Sequence, residues 1–326
     1  MRIDFQKELS QKRFILPPLS GYTDYPYRCI LSLFHPPFIC TEMVNATALV
    51  NGNKKTLDML TMEPGDHLKG VQLVGNNPQQ MSEAASIIES LGFDFIDVNM
   101  GCTVKKVVNK GQGVALMKDE ALASSIVESI CSSVDIPVTV KIRTGISQSK
   151  KNAVNLSKKL EKSGVYGITV HGRSGERKFG ITVDYDIIKK IAASIDIPVI
   201  ANGGINHKNA LDILNYTGAC AIMPGRNLIG NPWLVDQLKT VNNNFEVSIP
   251  KLTDRKDIVE KHLQRQCRFY GEYNGVRQFR SILPKYFRYC HQLNKLKDDS
   301  KQCQRIDDVK MILQRLSETD DMIQYQ

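Results

Sequence analysis

Short apolar runs alternate with amphipathic stretches up to about residue 240 of the chain. The runs are rich in β-branched residues, and the segments between them repeat apolar positions with helical spacing. Strands that are apolar on both faces indicate a parallel sheet covered by helices. Eight strands are predicted: Phe14–Leu19, Phe38–Glu42, Gly70–Val74, Phe95–Asn99, Val138–Ile142, Gly167–His171, Ile197–Ala201 and Ala219–Met223.

Eight strand–helix units favour a (β/α)8 TIM barrel over an open, doubly wound sheet. An open dinucleotide-binding sheet would carry a GxGxxG turn after its first strand, and the stretch Gly21–Asp24 does not supply one. The helical spacing between the strands predicts helices over Pro78–Leu91, Glu120–Ser133, Ala153–Ser163, Tyr185–Ser194 and Lys208–Tyr216.

The C-terminal part of the chain has a different composition. Of the 22 glycines only Gly271 and Gly275 follow residue 250, and Pro284 is the single proline there. Few turn residues and long periodic stretches predict helices. We therefore expect a barrel domain over residues 1–241, a polar linker ending at Pro250, and an all-α helical domain over residues 251–326.

The net positive charge of the chain indicates a polyanionic partner. The 326 residues carry a formal charge of +9, from 43 basic and 34 acidic groups, and Lys251–Cys290 is especially basic. This excess favours a helical module that binds nucleic acid through its phosphates; the alternative is an amphipathic bundle with a solvated charged face. On either interpretation we expect the interleaved aromatic residues to be core: Phe269, Tyr270, Tyr273, Phe279, Tyr286, Phe287 and Tyr289.

Composition also narrows the class of protein. No apolar run approaches the roughly 20 residues of a membrane helix, and the N-terminal residues lack the apolar segment of a signal peptide. Eight cysteines without CxxC pairs are typical of reduced thiols, and no histidine–cysteine spacing matches a zinc site. We expect a cytoplasmic monomer without a metal.

Polar residues stand at the ends of the predicted strands, where a TIM barrel carries its chemistry. An apolar barrel core would reject these groups, so their convergence predicts a site for a cofactor and a substrate. The groups are Leu19-Ser20, Glu42, Gln72, Asn99 with Cys102, Lys141 with Arg143, His171 with Arg173, Asn202, and Gly225-Arg226.

The last two strands are followed by glycine turns. Asn202-Gly203-Gly204 and Gly225-Arg226 lie where such barrels bind a phosphate through backbone N–H groups, and the arginine would add a charged contact. The alternative is that the glycines only make tight turns.

Two reactive side chains stand out at the strand ends. Lys141 and Arg143 point to the same side of one strand, and a buried lysine must meet an anion or an electron-rich ring. It could form a Schiff base or place its charge beside a cofactor such as reduced flavin. Cys102 begins a loop rich in lysine and glycine, and it could act as a nucleophile or as a proton donor.

These residues together resemble the tRNA-dihydrouridine synthase family, most closely its bacterial B-type subgroup. The opening Pro18–Asp24 is similar to the family's APMxGxTD pattern, and the other motifs follow in the family's order up to about residue 235. They are Glu42-Met43, Gln72–Gly75, Asp97–Cys102, Val138–Gly145, His171–Arg173, Ala201–Gly203, Gly225-Arg226 and Asn231–Trp233.

The resemblance implies an FMN-dependent enzyme that reduces particular uridines of tRNA to 5,6-dihydrouridine, with NADPH as electron donor. It implies that Cys102 is the general acid, which protonates C5 after a hydride reaches C6. Asn99, Arg143 and Arg173 would bind the substrate. FMN would be held by Pro18, Leu19, Ser20, Gln72, Lys141, His171, Asn202, Gly203, Gly204, Gly225 and Arg226.

The chain departs from the family pattern at two positions. Thr103 stands where the family usually has proline after the cysteine, which predicts a looser loop. Gly204 stands where the family usually has aspartate, so the resemblance implies one side-chain contact to FMN fewer, although a backbone N–H contact would survive.

Two other functions compete with this one. A flavin barrel acting on a free pyrimidine would share Lys141 and the glycine turns, but it gives no reason for the basic helical tail. An RNA-binding protein with a damaged flavin site would explain Thr103 and Gly204.

Overall fold

The fold was derived from a computed structural model, which describes residues 5–176, 182–240, 250–288 and 290–316. The predicted linker before Pro250 and the aromatic residue Tyr289 lie outside the described residues. The chain divides into two compact units. The barrel unit comprises Met1–Tyr25, Pro36–Met62 and Asp66–Gly225, and the helical unit comprises Pro26–His35, Glu63–Gly65 and Arg226–Gln326.

A seven-stranded parallel sheet forms the frame of the barrel unit. The strands pair in sequence order, each with the next along the chain, as expected for consecutive strand–helix units. They are β1 (Phe38–Asn45), β2 (Leu68–Val74), β3 (Phe95–Met100), β4 (Val138–Arg143), β5 (Gly167–His171), β6 (Val199–Asn202) and β7 (Ala221–Met223). Seven of the eight predicted strands are therefore confirmed, with ends that differ by a few residues.

The remaining predicted strand, Phe14–Leu19, is reduced to a short segment that closes the sheet. Phe14 forms a parallel bridge with Ile222 of β7, and the N–H of Leu16 donates to the Phe38 carbonyl of β1 at 3.1 Å. The ladder stops there because Pro17 and Pro18 have no N–H to donate. The sheet is thus a closed barrel with one irregular member, and the predicted fold class is confirmed.

Helices of the barrel unit connect the strands. The five predicted helices are all present, at Pro78–Ser90, Glu120–Cys131, Ala153–Lys162, Tyr185–Ala192 and Ala210–Thr217. Within the described residues, the helices of this unit are α1 (Phe5–Lys12), α3 (Ala46–Val50), α4 (Lys54–Met59), α5 (Pro78–Ser90), α6 (Lys105–Val108), α7 (Glu120–Cys131), α8 (Ala153–Lys162), α9 (Tyr185–Ala192) and α10 (Ala210–Thr217), with a 3₁₀ helix over Gly113–Lys118. The helix α2 (Tyr25–Ser32) lies, from Pro26 onward, in the helical unit.

Aromatic side chains fill the end of the barrel where the strands begin. The rings of Phe5, Phe38 and Phe95 pack against one another, with centroids 5.2 to 6.1 Å apart. Gly70 makes room for them, because a Cβ at this position would lie 2.1 Å from the Phe95 ring. This end of the barrel is therefore solid hydrophobic core, and the polar residues are left for the opposite end.

The helical unit contains the remaining helices. They are α11 (Leu234–Thr240), α12 (Leu252–Tyr270), α13 (Glu272–Phe279), α14 (Leu283–Tyr286), α15 (Leu293–Gln302) and α16 (Ile306–Arg315), with a 3₁₀ helix over Arg226–Leu228. This confirms the helical character predicted for the C-terminal part of the chain.

The core of the helical unit is aromatic and holds one buried histidine. His262 stacks on Tyr27 with ring centroids 5.0 Å apart, and its Nδ1 lies 2.9 Å from the Tyr286 hydroxyl. Burial lowers the pKa of His262 to about 3, so the ring is neutral. Phe279 packs against the same ring. Of the aromatic residues predicted to be core, Phe279, Tyr286 and Phe287 are buried and Phe269 and Tyr270 are half-buried. The prediction is wrong for Tyr273, which is 61% exposed.

Candidate active site at the carboxyl ends of the strands

Three buried polar side chains form a row across β2, β3 and β4. Gln72, Asp97 and Thr139 stand in register on these strands. The Gln72 amide nitrogen donates to one carboxylate oxygen of Asp97 at 2.6 Å, and the Thr139 hydroxyl donates to the other at 2.8 Å. Burial raises the pKa of Asp97, although these donors and the charge of Lys141 oppose the change.

Asn99 anchors the loop that carries Cys102. Its amide nitrogen donates to the Gln72 side-chain oxygen at 2.7 Å. Its own side-chain oxygen accepts the backbone N–H groups of Gly101 and Cys102, at 3.1 and 2.9 Å. The Cys102 carbonyl in turn accepts the N–H of Val114 at 3.0 Å. Hydrogen bonds on both sides thus hold the backbone of Cys102, a partly exposed residue.

Lys141 reaches from β4 to β6. Its ammonium group donates to the Asn202 side-chain oxygen at 2.8 Å, and the Asn202 amide nitrogen donates to the Met223 carbonyl at 2.8 Å. Burial, helped by the charge of Arg143 and opposed by that of Asp97, lowers the pKa of Lys141 from 10.5 to about 7. Its partner in this structure is a neutral amide, so the ammonium group would gain from a ligand with negative charge.

Arg143, the last residue of β4, donates a hydrogen bond to the loop that carries Cys102. Its Nε donates to the Gly101 carbonyl at 2.7 Å, and a second guanidinium nitrogen donates to the Ser174 carbonyl at 2.8 Å. Burial and the charge of Arg173 lower the pKa of Arg143, whereas its interaction with Cys102 raises it. The guanidinium of Arg143 therefore lies near Cys102 and holds the loop that carries it.

His171 and Arg173 follow β5. His171 is in register with Arg143 on one side and with Asn202 on the other. A guanidinium nitrogen of Arg173 lies 3.5 Å from the His171 Nε2. Both residues are partly exposed, and Arg143 and Arg173 place two cationic groups at this edge of the barrel.

The glycine turn after β6 has the geometry that its sequence predicts. Gly203 and Gly204 have φ values of 121° and 68°, a region that favours glycine. A Cβ on Gly203 would lie 3.0 Å from the His171 ring. The Tyr185 hydroxyl donates to the Gly203 carbonyl at 2.8 Å, and the Asn209 amide donates to the Gly204 carbonyl at 3.0 Å. The turn is therefore tightly fixed, and its role in phosphate binding stays a prediction.

The segment Pro18–Ser20 forms a turn tied to β1. The N–H groups of Tyr22 and Thr23 donate to the Leu19 carbonyl, each at 2.9 Å. The N–H of Gly21 donates to the Glu42 carboxylate at 2.5 Å. Glu42, which lies within β1 three residues before its end, thus ties this turn to the strand.

Gly225 and Arg226 fall on either side of the division between the units. A Cβ on Gly225 would meet nothing within 4 Å, so its backbone is open to a ligand. Arg226 is exposed and begins a 3₁₀ helix of the helical unit. Their proposed contact with a phosphate stays a prediction.

Hydrogen bonds join the predicted site residues Gln72, Asn99 and Cys102 into one chain and Lys141 with Asn202 into a pair, and Arg173 lies against His171. Sequence reasoning did not assign a role to Asp97, which binds Gln72. The signal was available, because period-two alternation in β3 places Asp97 on the same face as Asn99.

Among the residues that the structure describes, no cluster of histidine, cysteine and acidic side chains could hold a metal ion. Within the same residues, no helix is long and apolar enough to span a membrane.

The fold and the site define a class of protein: a parallel-barrel enzyme with polar and cationic groups gathered at the carboxyl ends of its strands. A solved structure described as TcOYE with pHBA matches the chain with a TM-score of 0.50 and 14% identity, over 80% of this chain and 95% of that one. At this identity the likeness concerns the fold alone.

Sequence relatives identify the family. The family model for dihydrouridine synthase (Dus) matches residues 15–321. The chain is 40% identical to a probable tRNA-dihydrouridine synthase of Rickettsia conorii, over 82% of each chain. It is 34% identical to tRNA-dihydrouridine synthase B of Pseudomonas aeruginosa, over 89% of this chain and 90% of that protein. The chain belongs to the dihydrouridine synthase family and is an oxidoreductase, as the sequence motifs predict.

Proposed function

We propose that this protein reduces specific uridines of tRNA to 5,6-dihydrouridine, with FMN as bound cofactor and NADPH as electron donor. Family membership supports the reaction. The observation that carries the proposal is the position of Cys102, whose backbone is held by Asn99 at the carboxyl ends of the strands, beside Arg143.

The residues at the strand ends fit a flavin. Lys141 has a lowered pKa and a neutral partner, so it suits a ring that gains negative charge on reduction. Asn202 offers an amide group next to Lys141, and we assign the Gln72 amide, which Asp97 holds, to the same cofactor. The turns at Gly203-Gly204 and Gly225 suit a phosphate. With φ at 68°, Gly204 fits its backbone better than the usual aspartate would, so a backbone contact there is retained.

Cys102 provides the proton of the reaction. When bound, FMN supplies the hydride that adds to C6 of the uracil ring, and NADPH restores its electrons. Cys102 donates its proton to C5, which leaves a thiolate that later regains a proton from solvent. The nearby guanidinium of Arg143 stabilises that thiolate. Together the hydride and the proton saturate the C5–C6 double bond.

Binding of the substrate depends on two further features. The uridine must leave its stack to reach the strand ends, where we assign Asn99, Arg143 and Arg173 to the base and its neighbours. We assign tRNA docking to the helical unit. One face of α12 carries Lys261, Arg265 and Arg268 at i, i+4 and i+7, and we name these three residues the basic stripe.

The substitution Cys102→Ala tests the chemistry directly. We expect FMN loading and tRNA affinity to stay within about twofold of wild type, while the rate of dihydrouridine formation falls at least about a hundredfold, because the proton donor is removed. The measurement is mass spectrometry of tRNA after incubation with NADPH. Cys131→Ala, at another partly exposed cysteine, is the control and should be fully active. A Cys102→Ala rate within threefold of wild type would rule out the acid assignment.

A further inference from the structure

Asp97, Gln72 and Asn99 form a chain of hydrogen bonds with a fixed direction. A backbone N–H can only donate a hydrogen bond, so the N–H groups of Gly101 and Cys102 fix the direction of the whole chain. The chain begins at the Asp97 carboxylate and ends at the N–H groups of Gly101 and Cys102. Each side-chain amide between these ends therefore has one orientation that satisfies both of its neighbours.

We propose that Asp97 is a positioning residue for the reaction: its carboxylate fixes the Gln72 amide, and through Asn99 it fixes the backbone of Cys102. The inference rests on the proposed roles of Cys102 as the acid and of Gln72 as a contact to FMN. Asp97 acts at a distance, through two amides. One carboxylate thus sets the geometry of both the cofactor contact and the proton donor.

The burial of the chain makes this control effective. Asp97 is 3% exposed, Gln72 is 2% exposed and Asn99 is 8% exposed. Bulk water therefore has little access to replace a missing partner. A buried amide that loses its acceptor is free to rotate, and the amide after it then loses its fixed neighbour.

Two substitutions at Asp97 distinguish the loss of its hydrogen-bond acceptor from the loss of its negative charge and from a change in side-chain packing. Asp97→Leu keeps an apolar side chain of similar size and removes the acceptor. Asp97→Asn removes the charge but can still turn its oxygen toward Gln72 and its nitrogen toward the Thr139 hydroxyl. That hydroxyl can accept this bond, because it also lies 3.4 Å from the Ile96 carbonyl, to which it can donate. The proposal therefore predicts that Asn substitutes for Asp and Leu does not.

The direct readout is hydrogen exchange at the backbone amides of Gly101 and Cys102, measured on the purified full-length protein without tRNA. We expect exchange about tenfold faster in Asp97→Leu, because the Asn99 acceptor is no longer fixed. Asp97→Asn should stay within twofold of wild type. Thr139→Val is the matched control, since it removes a donor to the same carboxylate without changing the direction of the chain.

The same variants predict a kinetic signature. Asp97→Leu should lower kcat for dihydrouridine formation about tenfold and leave tRNA affinity unchanged, and Asp97→Asn should restore kcat. The Ile168 amide, which donates to the Pro198 carbonyl in the neighbouring ladder, reports on general loosening and should not change.

The proposal is overturned if folded Asp97→Leu exchanges at the wild-type rate, or if Asp97→Asn exchanges as fast as Asp97→Leu. Should Asp97→Leu not fold, Gln72→Met breaks the next link, and unchanged exchange at Cys102 in that variant also overturns it. An active Cys102→Ala enzyme would refute the acid assignment alone, because the exchange result does not depend on turnover.

Discussion

At the scale of single residues, Lys141 shows how burial changes the protonation of a reactive group. A buried ammonium group can relieve its desolvation by losing its proton or by meeting negative charge. Its partner here is Asn202, which is neutral, and its pKa falls to about 7. Alternation placed Lys141 and Arg143 on the same side of one strand, but the sequence could not give the pKa of Lys141. That pKa depends mainly on how deeply the fold buries the ammonium group, and also on how closely Asp97 approaches from the neighbouring strand.

The lowered pKa predicts a pH-dependent stability. The unfolded chain holds the Lys141 proton up to about pH 10.5, whereas the folded protein releases it near pH 7. Between these values the free energy of unfolding of wild type should rise relative to Lys141→Met, by at most about 1.4 kcal/mol per pH unit. Below pH 7 the difference should be constant. Urea unfolding of both proteins between pH 5 and pH 10 measures this, and parallel curves over the whole range would contradict it.

At the scale of elements, the local pattern of apolar residues predicts the strands and helices, and the polar residues at the strand ends predict the site. The pattern did not predict that Phe14–Leu19 would shrink to a bridge, although Pro17 and Pro18 are visible in the sequence. It also could not predict the conformation of the loop after β3, because two hydrogen bonds at Cys102 fix that loop. The Asn99 side chain accepts the N–H of Cys102, and the Cys102 carbonyl accepts the N–H of Val114. Local periodicity does not predict contacts between segments that are far apart in the sequence.

Gly113 tests the shape of that loop. Its φ is 63°, and a Cβ there would lie 2.8 Å from the Cys102 carbonyl oxygen. Gly113→Ala should lower the free energy of unfolding by about 1–2 kcal/mol for the backbone and should also displace Cys102, so that dihydrouridine formation falls about tenfold or more.

Gly218→Ala is the matched control for this change. Its φ is 68°, but a Cβ would meet nothing within 4 Å, so it should lose similar stability and keep its activity. Equal activity in the two variants would show that the Cys102 loop tolerates the displacement.

At the scale of the whole molecule, the basic charge divides into two groups. Arg255 and Arg280 bind backbone carbonyls inside the helical unit, which is a structural role. In the basic stripe on α12, by contrast, Lys261 and Arg268 are exposed and Arg265 is half-buried. The sequence located the charge in this region but could not divide it, because the division depends on which side chains the fold buries.

Substitution of the basic stripe tests this division. Replacing Lys261 and Arg268 with glutamine should weaken tRNA binding and lower the slope of log affinity against log salt by roughly 0.7–0.9 for each phosphate that is no longer neutralised. Thermal stability should hardly change. Arg280→Gln should do the reverse, because its guanidinium bonds to the Cys303 carbonyl at 2.7 Å. A salt slope unaffected by the stripe variant would place tRNA docking elsewhere.

The most direct test of the proposed function is a map of dihydrouridine in tRNA from cells that lack this protein. Dihydrouridine should disappear from a defined set of positions in the tRNA of these cells. The wild-type protein should restore it there, and the Cys102→Ala variant should not. A map that is identical with and without the protein would contradict the assignment of tRNA uridine as its substrate.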